Sequence, residues 1–127
     1  MTGAAEEGYV FRNRYPERDA IYRSFADSSA ETRAALACRR DIAYGEHPRQ
    51  RFDLFPGTPG GPTLIFIHGG YWRSQSKDSF SFTARPFVAA GYAVAIIGYP
   101  LLPDISFSGL CKSVQAGVMA ALETLED

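Results

Sequence analysis

The sequence predicts an α/β fold of three layers, in which helices cover both faces of a small mixed sheet. Two short runs, residues 63–67 and 92–97, are continuously apolar, as strands buried on both faces are. Each run leads into a glycine-containing loop and then into a stretch of helical periodicity. This order predicts a parallel βαβα unit, which here comes after an antiparallel start.

The first part of the chain, residues 1–39, is predicted to be a helical flank that begins as coil up to about residue 15. Pro16 suits a first helical position, and acidic residues come after it in the first turn. Ser28 and Glu31 have capping-box spacing, so we expect a second short helix after the first. No catalytic grouping falls in this flank.

The second part, residues 40–127, is predicted to form the sheet and its helices. A turn containing Gly45 and Pro48 joins the first two strands as an antiparallel hairpin. Pro86 is expected to kink or restart the helix after the third strand, and Gly91 to end it. The expected strands are 40–44, 51–55, 63–67 and 92–97, and the expected helices are 78–90 and 108–125.

Composition restricts the function classes. A chain of 127 residues, 46% hydrophobic and 21% charged, is expected to form one globular domain. A net charge of -1 and scattered arginines, interpreted as solvated faces and local ion pairs, argue against nucleic acid or an acidic membrane surface as partner. No secretory signal is visible in the acidic N-terminus, and the apolar runs are too short to span a membrane. Two cysteines far apart in sequence indicate a reduced, cytoplasmic compartment.

The candidate site is the loop His68-Gly69-Gly70-Tyr71-Trp72, directly after the third strand. Paired glycines allow main-chain geometry that a Cβ would block, so their N–H groups can point into a cleft and stabilise the oxyanion formed in acyl transfer. His68 is either a general base or a structural imidazole, and the structural role is favoured because no hydroxyl or thiol adjoins it. Tyr71 and Trp72 either line an aromatic pocket or pack under the loop.

Two other ligand classes fit the loop less well. A phosphate cradle at Gly69-Gly70 lacks both GxxxxGK[ST] and GxGxxG, and Lys77 is displaced from the expected place. A metal site is not expected, since His47 and His68 are the two histidines and neither CxxC nor HExxH occurs.

The loop resembles the HGGxW motif of the kynurenine formamidase (arylformamidase) branch of the α/β-hydrolase superfamily. Other residues that resemble this family are Phe52-Asp53-Leu54, Ser76-Lys77-Asp78, Gly91, Gly98-Tyr99 and Pro103. Pro100 departs from it, because family members often carry Asp or another polar residue after Gly-Tyr. The resemblance covers residues 40–127 well and the flank loosely, and it identifies the predicted sheet as the N-terminal half of an α/β-hydrolase sheet.

The resemblance implies a serine hydrolase that cleaves the N-formyl amide of formylkynurenine, a step of tryptophan catabolism, or a small aryl ester. Such an enzyme uses a Ser-Asp/Glu-His triad and neither metal nor cofactor. The backbone N–H groups of Gly70 and Tyr71 would form the oxyanion hole, and His68 and Gly69 would shape the loop. Tyr71 and Trp72 are the substrate-pocket candidates.

The nucleophile and the triad Asp and His of that family have no counterpart in the 127 residues. No G-x-S-x-G occurs, and Ser106-Phe107-Ser108-Gly109 fails on spacing. Cys111 is not expected to substitute, because it falls in an amphipathic helix and is interpreted as a small core residue. The domain is thus expected to lack the nucleophile-elbow strand and every element C-terminal to that strand, and the chain alone is expected to be inactive.

The third strand is expected to have a bare edge, because the superfamily order 1-2-4-3-5 places it between strands 4 and 5. Its residues Thr63, Leu64, Ile65, Phe66 and Ile67 would pair with another chain or with the missing C-terminal half, or else aggregate. The alternative function is a non-catalytic fragment or partner-binding α/β module, whose loop binds a small carbonyl or carboxylate ligand.

Overall fold

The structure, a computed structural model, describes residues 15–126, so the coil expected at the N-terminus lies outside the described residues. The elements along the chain are α1 (Arg18–Ala35), β1 (Arg39–Ala43), β2 (Arg51–Phe55), β3 (Thr63–Ile67), α2 (Ala84–Ala89), β4 (Ala93–Ile97) and α3 (Phe107–Glu126). Two 3₁₀ turns, Lys77–Ser79 and Ser81–Thr83, lie between β3 and α2. No helix in this range has the length and apolarity of a membrane span.

The four strands form one mixed sheet in the order β1-β2-β4-β3. The pairs β1–β2 and β2–β4 are antiparallel, whereas β3 and β4 are parallel, with Thr63 opposite Ala93 and Ile67 opposite Ile97. This confirms the predicted antiparallel start and parallel pair. It also places β3 at the edge of the sheet, with its carboxyl end beside that of β4.

Alternate residues of β4 face two separate cores, which explains why its sequence is apolar without a break. The core under α3 contains Phe52, Leu54, Ala95, Ile97 and Ala121. The core on the opposite face contains Phe55, Ala84, Val94 and Ile96. The three-layer prediction is confirmed, and β3 contacts both cores, with Ile65 on one face and Leu64 and Phe66 on the other. Its central residues are nevertheless only half-buried, and both ends are exposed.

The flank is one continuous helix, so the second helix predicted from Ser28 is wrong. Thr32 Oγ1 donates to the Ser28 carbonyl oxygen at 2.8 Å, one turn back within the helix. The hydroxyl of the buried Ser29 accepts the N–H of Phe82 at 3.1 Å. One hydroxyl thus bonds within the helix and the other bonds to a distant segment, and the local capping signal does not break the helix.

The helix predicted at residues 78–90 is shorter than expected and begins at Ala84. The Asp78 carboxylate does not cap a helix, because it is held by Lys77 at 2.9 Å and Arg40 at 3.0 Å. Pro86 is the third residue of α2, within the first turn, where a missing N–H costs no helical hydrogen bond. Gly91 is confirmed as the residue that ends α2, with a φ of +94°.

The remaining boundaries are close to those predicted, since β1, β4 and α3 each differ by one residue. The prediction for Cys111 is wrong. Its side chain is exposed on α3 and does not lie in the core. The buried face of α3 is formed instead by Leu110, Ser113, Gly117 and Ala121.

Candidate active site

Two loops meet at the carboxyl end of the parallel strands, one after β3 and one after β4. The Tyr99 hydroxyl donates to the His68 carbonyl oxygen at 2.7 Å, and the Leu102 N–H donates to the Trp72 carbonyl oxygen at 2.8 Å. The loops are therefore fixed to each other at the edge where α/β sheets bind ligands.

His68 is buried, with 1% of its surface exposed, between two aromatic rings. Its ring stacks on Tyr99 at 4.5 Å between centroids and on Phe80 at 5.7 Å. Its Nδ1 lies 2.7 Å from the Gly69 carbonyl oxygen. A carbonyl can only accept, so Nδ1 carries the hydrogen and Nε2 has a lone pair. Within residues 15–126 no donor reaches Nε2.

Burial lowers the pKa of His68 below its ordinary value of 6.5. The hydrogen bond to Gly69 acts in the opposite direction, and the positive charge of Arg49 lowers the pKa further. The imidazole is therefore neutral at neutral pH. Its position between two rings and its bond to the adjacent carbonyl favour the structural interpretation over that of a general base.

Residues 70–73 form a tight turn with strained geometry. The φ angles of Gly70, Tyr71 and Trp72 are +129°, +58° and +64°, and the Gly70 carbonyl accepts the N–H groups of Arg73 and Ser74, both at 3.1 Å. Positive φ at both central residues is the pattern of a type I′ turn. Each aromatic residue in this left-handed region costs about 1 kcal/mol or more. A Cβ at position 70 would collide with the Ser74 carbonyl, so the turn requires glycine there.

The N–H groups of Gly70 and Tyr71 are free donors: across the described range, neither has a hydrogen-bond acceptor. A trans peptide directs its C=O and N–H to opposite sides. Because the Gly69 carbonyl points to the buried ring of His68, the Gly70 N–H points away from the interior. By the same geometry, the Gly70 carbonyl points into the turn and the Tyr71 N–H points out of it. Two adjacent outward donors can hold one carbonyl oxygen.

Aromatic side chains flank these donors. Tyr71 is 88% exposed, whereas Trp72 is 41% exposed. The Trp72 ring meets Phe107 edge-on at 6.2 Å and Tyr99 at 5.9 Å. Trp72 therefore packs partly under the loop and partly faces solvent. Phe107, at the start of α3, was not singled out from the sequence because only the tertiary structure brings it to Trp72.

A buried lysine anchors the far end of the loop. Lys77 Nζ lies 2.6, 3.0 and 2.9 Å from carboxylate oxygens of Asp41, Asp53 and Asp78. Burial pulls the pKa of Lys77 down, but bonds from Asp41 and Asp78, with the charge of Asp53, raise it above its ordinary value. A cleft of about 110 Å³ lies beside this cluster. The Ser76-Lys77-Asp78 motif thus fixes the loop to β1 and β2.

The other candidate side chains have local structural roles. His47 Nδ1 accepts the Arg49 N–H at 3.0 Å in the hairpin turn. Ser106 Oγ accepts the Gly109 N–H at 3.1 Å at the start of α3. In the part of the chain that the structure describes, no serine or cysteine is hydrogen-bonded to a histidine, and no cluster of His, Cys, Asp or Glu could hold a metal ion.

The fold, with a glycine turn after β3, is that of an α/β-hydrolase. A crystal structure of a candidate thioesterase from Silicibacter sp. TM1040 superposes with a TM-score of 0.77 and 34% identity, over 84% of this chain and 42% of that one. Other solved esterases superpose at lower identity and support the fold alone.

The sequence is similar to kynurenine formamidases, which confirms the predicted resemblance to that family. The kynurenine formamidase of Danio rerio is 31% identical over 86 residues, 65% of this chain and 29% of the relative. An isoprenylcysteine alpha-carbonyl methylesterase of Arabidopsis thaliana is 30% identical over 83 residues, 63% of this chain and 19% of the relative. The chain thus spans less than a third of the length of these relatives. No family model matches it.

Proposed function

We propose that this chain carries the oxyanion hole of a serine hydrolase that cleaves a formamide, such as N-formylkynurenine, or a small aryl ester. The observation that carries the proposal is the pair of free, outward N–H groups of Gly70 and Tyr71 at the end of β3. The hydrolase names of the similar proteins, a formamidase and a methylesterase, support the reaction class.

In this reaction the substrate carbonyl oxygen lies between the two N–H groups. When a serine attacks the carbonyl carbon, negative charge grows on that oxygen and the two hydrogen bonds strengthen. A third donor comes from the residue after the nucleophile, as the resemblance implies. Neutral His68 takes no proton in this scheme. It holds the Gly69 carbonyl and thereby keeps the Gly70 N–H directed at the substrate.

The nucleophile is supplied from outside the 127 residues, by a segment or chain that pairs with the edge of β3. Among residues 15–126, no strand pairs with the outer edge of Thr63–Ile67, and Ile67 is 38% exposed. A parallel strand added there would end beside Gly70, where the turn after that strand can present a serine.

The test is hydrolysis of p-nitrophenyl acetate and N-formylkynurenine by two samples. One is this chain alone, and the other is the chain extended along its reading frame or co-expressed with a neighbouring one. We expect activity, blocked by a serine-directed phosphonate, only in the second sample. Phosphonate-sensitive activity of the chain alone would overturn the external origin of the nucleophile.

A second candidate is a non-catalytic module that binds a small carbonyl or carboxylate ligand. It is favoured because the Gly70 and Tyr71 N–H groups are free, whereas no serine within residues 15–126 is hydrogen-bonded to a histidine. Binding of formate or acetate at the Gly70 and Tyr71 amides in NMR titrations, with no hydrolysis in any extended form, would identify this function.

A further inference from the structure

The side chain of Arg49, in the turn between β1 and β2, joins the two loops of the candidate site. Its Nε donates to the Tyr99 carbonyl oxygen at 2.9 Å, and its Nη2 donates to the Gln75 carbonyl oxygen at 2.6 Å. Tyr99 belongs to the loop after β4, and Gln75 belongs to the loop after β3. One guanidinium therefore holds the carbonyls of both loops at a fixed separation.

An arginine suits this position better than a lysine. The planar guanidinium presents several N–H donors in a rigid fork, whereas a lysine ammonium is a point charge on a flexible stem. Gln75, whose carbonyl Arg49 binds, has a φ of +73°, which lies in the left-handed region of the backbone map. The fork thus binds the carbonyl of a residue whose backbone conformation is sparsely populated for side chains other than glycine.

Both residues whose carbonyls Arg49 binds are connected to the glycine turn by a short series of contacts. On one side, Tyr99 stacks on His68 at 4.5 Å and donates to its carbonyl, and His68 in turn binds the Gly69 carbonyl. On the other side, Gln75 comes directly after Ser74, whose N–H and hydroxyl both donate to the Gly70 carbonyl. The two peptides that carry the free N–H groups therefore lie between the two points that Arg49 fixes.

We propose that Arg49 is a positioning residue, which sets the direction of the Gly70 and Tyr71 N–H groups by holding the Tyr99 and Gln75 carbonyls together. Its relevance to catalysis rests on the proposed function, whereas its effect on the turn does not.

The charge of Arg49 provides a second readout. The groups around His68 are the rings of Phe80 and Tyr99, the Gly69 carbonyl and, at longer range, the Arg49 guanidinium. Arg49 is the charge that lowers the pKa of His68. A lysine keeps this charge but loses the fork, whereas a methionine loses both.

The experiment compares Arg49→Lys and Arg49→Met with the parent chain by NMR, all carrying Ile67→Lys to reduce association through the edge of β3, and monitors the Gly70 and Tyr71 amides and the His68 ring through a pH titration. We expect both variants to shift the two amide resonances, and only Arg49→Met to raise the pKa of His68. Arg39→Met is the matched control, because the exposed Arg39 side chain has no hydrogen bond or ion pair among the described residues. Unchanged Gly70 and Tyr71 resonances in folded Arg49→Lys would overturn the proposal.

In an extended form that hydrolyses an ester, Arg49→Lys should lower kcat on the order of 10- to 100-fold and leave KM nearly unchanged, because misdirected donors fail in the transition state. Wild-type kcat in this variant would overturn the positioning role while leaving the proposed function intact. Shifted amides without hydrolysis in any form would overturn the proposed function and leave the positioning role.

Discussion

The ammonium of Lys77 lies 3.0 Å from the carboxylate of Asp53, a side chain that solvent does not reach. Asp53 also accepts the N–H of Asp41 at 2.8 Å, where an irregularity in β1 turns that residue to a φ of +56°. The pair therefore fixes the far end of the glycine loop to both antiparallel strands.

Removal of the lysine charge should strongly destabilise the fold. Lys77→Met leaves the buried Asp53 carboxylate without its cation, which costs about 3–5 kcal/mol of unfolding free energy. Arg40→Met, which removes an exposed partner of Asp78, should cost at most about 1 kcal/mol. Urea unfolding monitored by circular dichroism measures both, and equal losses in the two variants would contradict the buried pair.

Alanine should destabilise the chain at one of the two neighbouring glycines and have little effect at the other. Gly70→Ala forces a Cβ against the Ser74 carbonyl at a φ of +129°, so it should destabilise by more than about 1 kcal/mol. Gly70→Ala keeps the N–H donor but displaces it, so in an extended active form it should also reduce kcat, on the order of 10²-fold. A Cβ at Gly69 meets no atom within 4 Å, so Gly69→Ala should change the unfolding free energy by no more than about 0.5 kcal/mol. Equal melting temperatures for the two variants would refute the assigned turn.

The free energy of unfolding should decrease as the pH is lowered and His68 becomes protonated. Because its folded pKa lies below the ordinary 6.5, its contribution is complete above pH 6.5 and is lost as pH falls from there toward the folded pKa. The loss cannot exceed about 1.4 kcal/mol per pH unit for one group. His68→Phe keeps a ring between Phe80 and Tyr99 but cannot titrate.

The test compares the urea unfolding midpoints of the unchanged chain and of His68→Phe at about pH 7.5, 6.5 and 5.5, values that bracket the ordinary histidine pKa. The unchanged chain should lose more stability across the series than His68→Phe does. Parallel pH dependence in the two proteins would mean that His68 is not a buried neutral imidazole.

The edge of β3 should make the isolated chain associate. The strand has no charge or proline to block pairing, so we expect oligomers or aggregates in sedimentation velocity. Ile67→Lys should reduce association by placing a charge at the edge. Met119→Lys, which changes a residue on α3 that is 57% exposed, is the control for general solubility. A monodisperse, cooperatively melting monomer would contradict the prediction.

Elements whose causes are local could be predicted from the sequence. Continuous apolar runs indicated β3 and β4, and Gly91 ended α2 at the expected residue. The glycine loop could be found in the sequence because the positive φ of Gly70 requires glycine at that position.

Features that depend on distant residues could not be predicted in this way. Ser28 carried a capping signal, but contacts with residues 81–83 kept the helix continuous. The arginines are expected from the sequence to lie on solvated faces or in local ion pairs, yet Arg49 binds two loop carbonyls. The Lys77 cluster joins residues that lie 24 and 36 positions apart, and no local pattern reveals such an arrangement.

The docking of α1 has a consequence for biosynthesis. Ser29 and Arg33 bind partners that lie 53 and 45 residues further along the chain. Most of the stability of a helix in a protein comes from tertiary packing rather than from helix propensity. On the ribosome, α1 therefore emerges before its docking surface exists and gains its partners only when residue 82 has left the exit tunnel. A nascent chain stalled before the 3₁₀ turns would carry α1 without a place to bind.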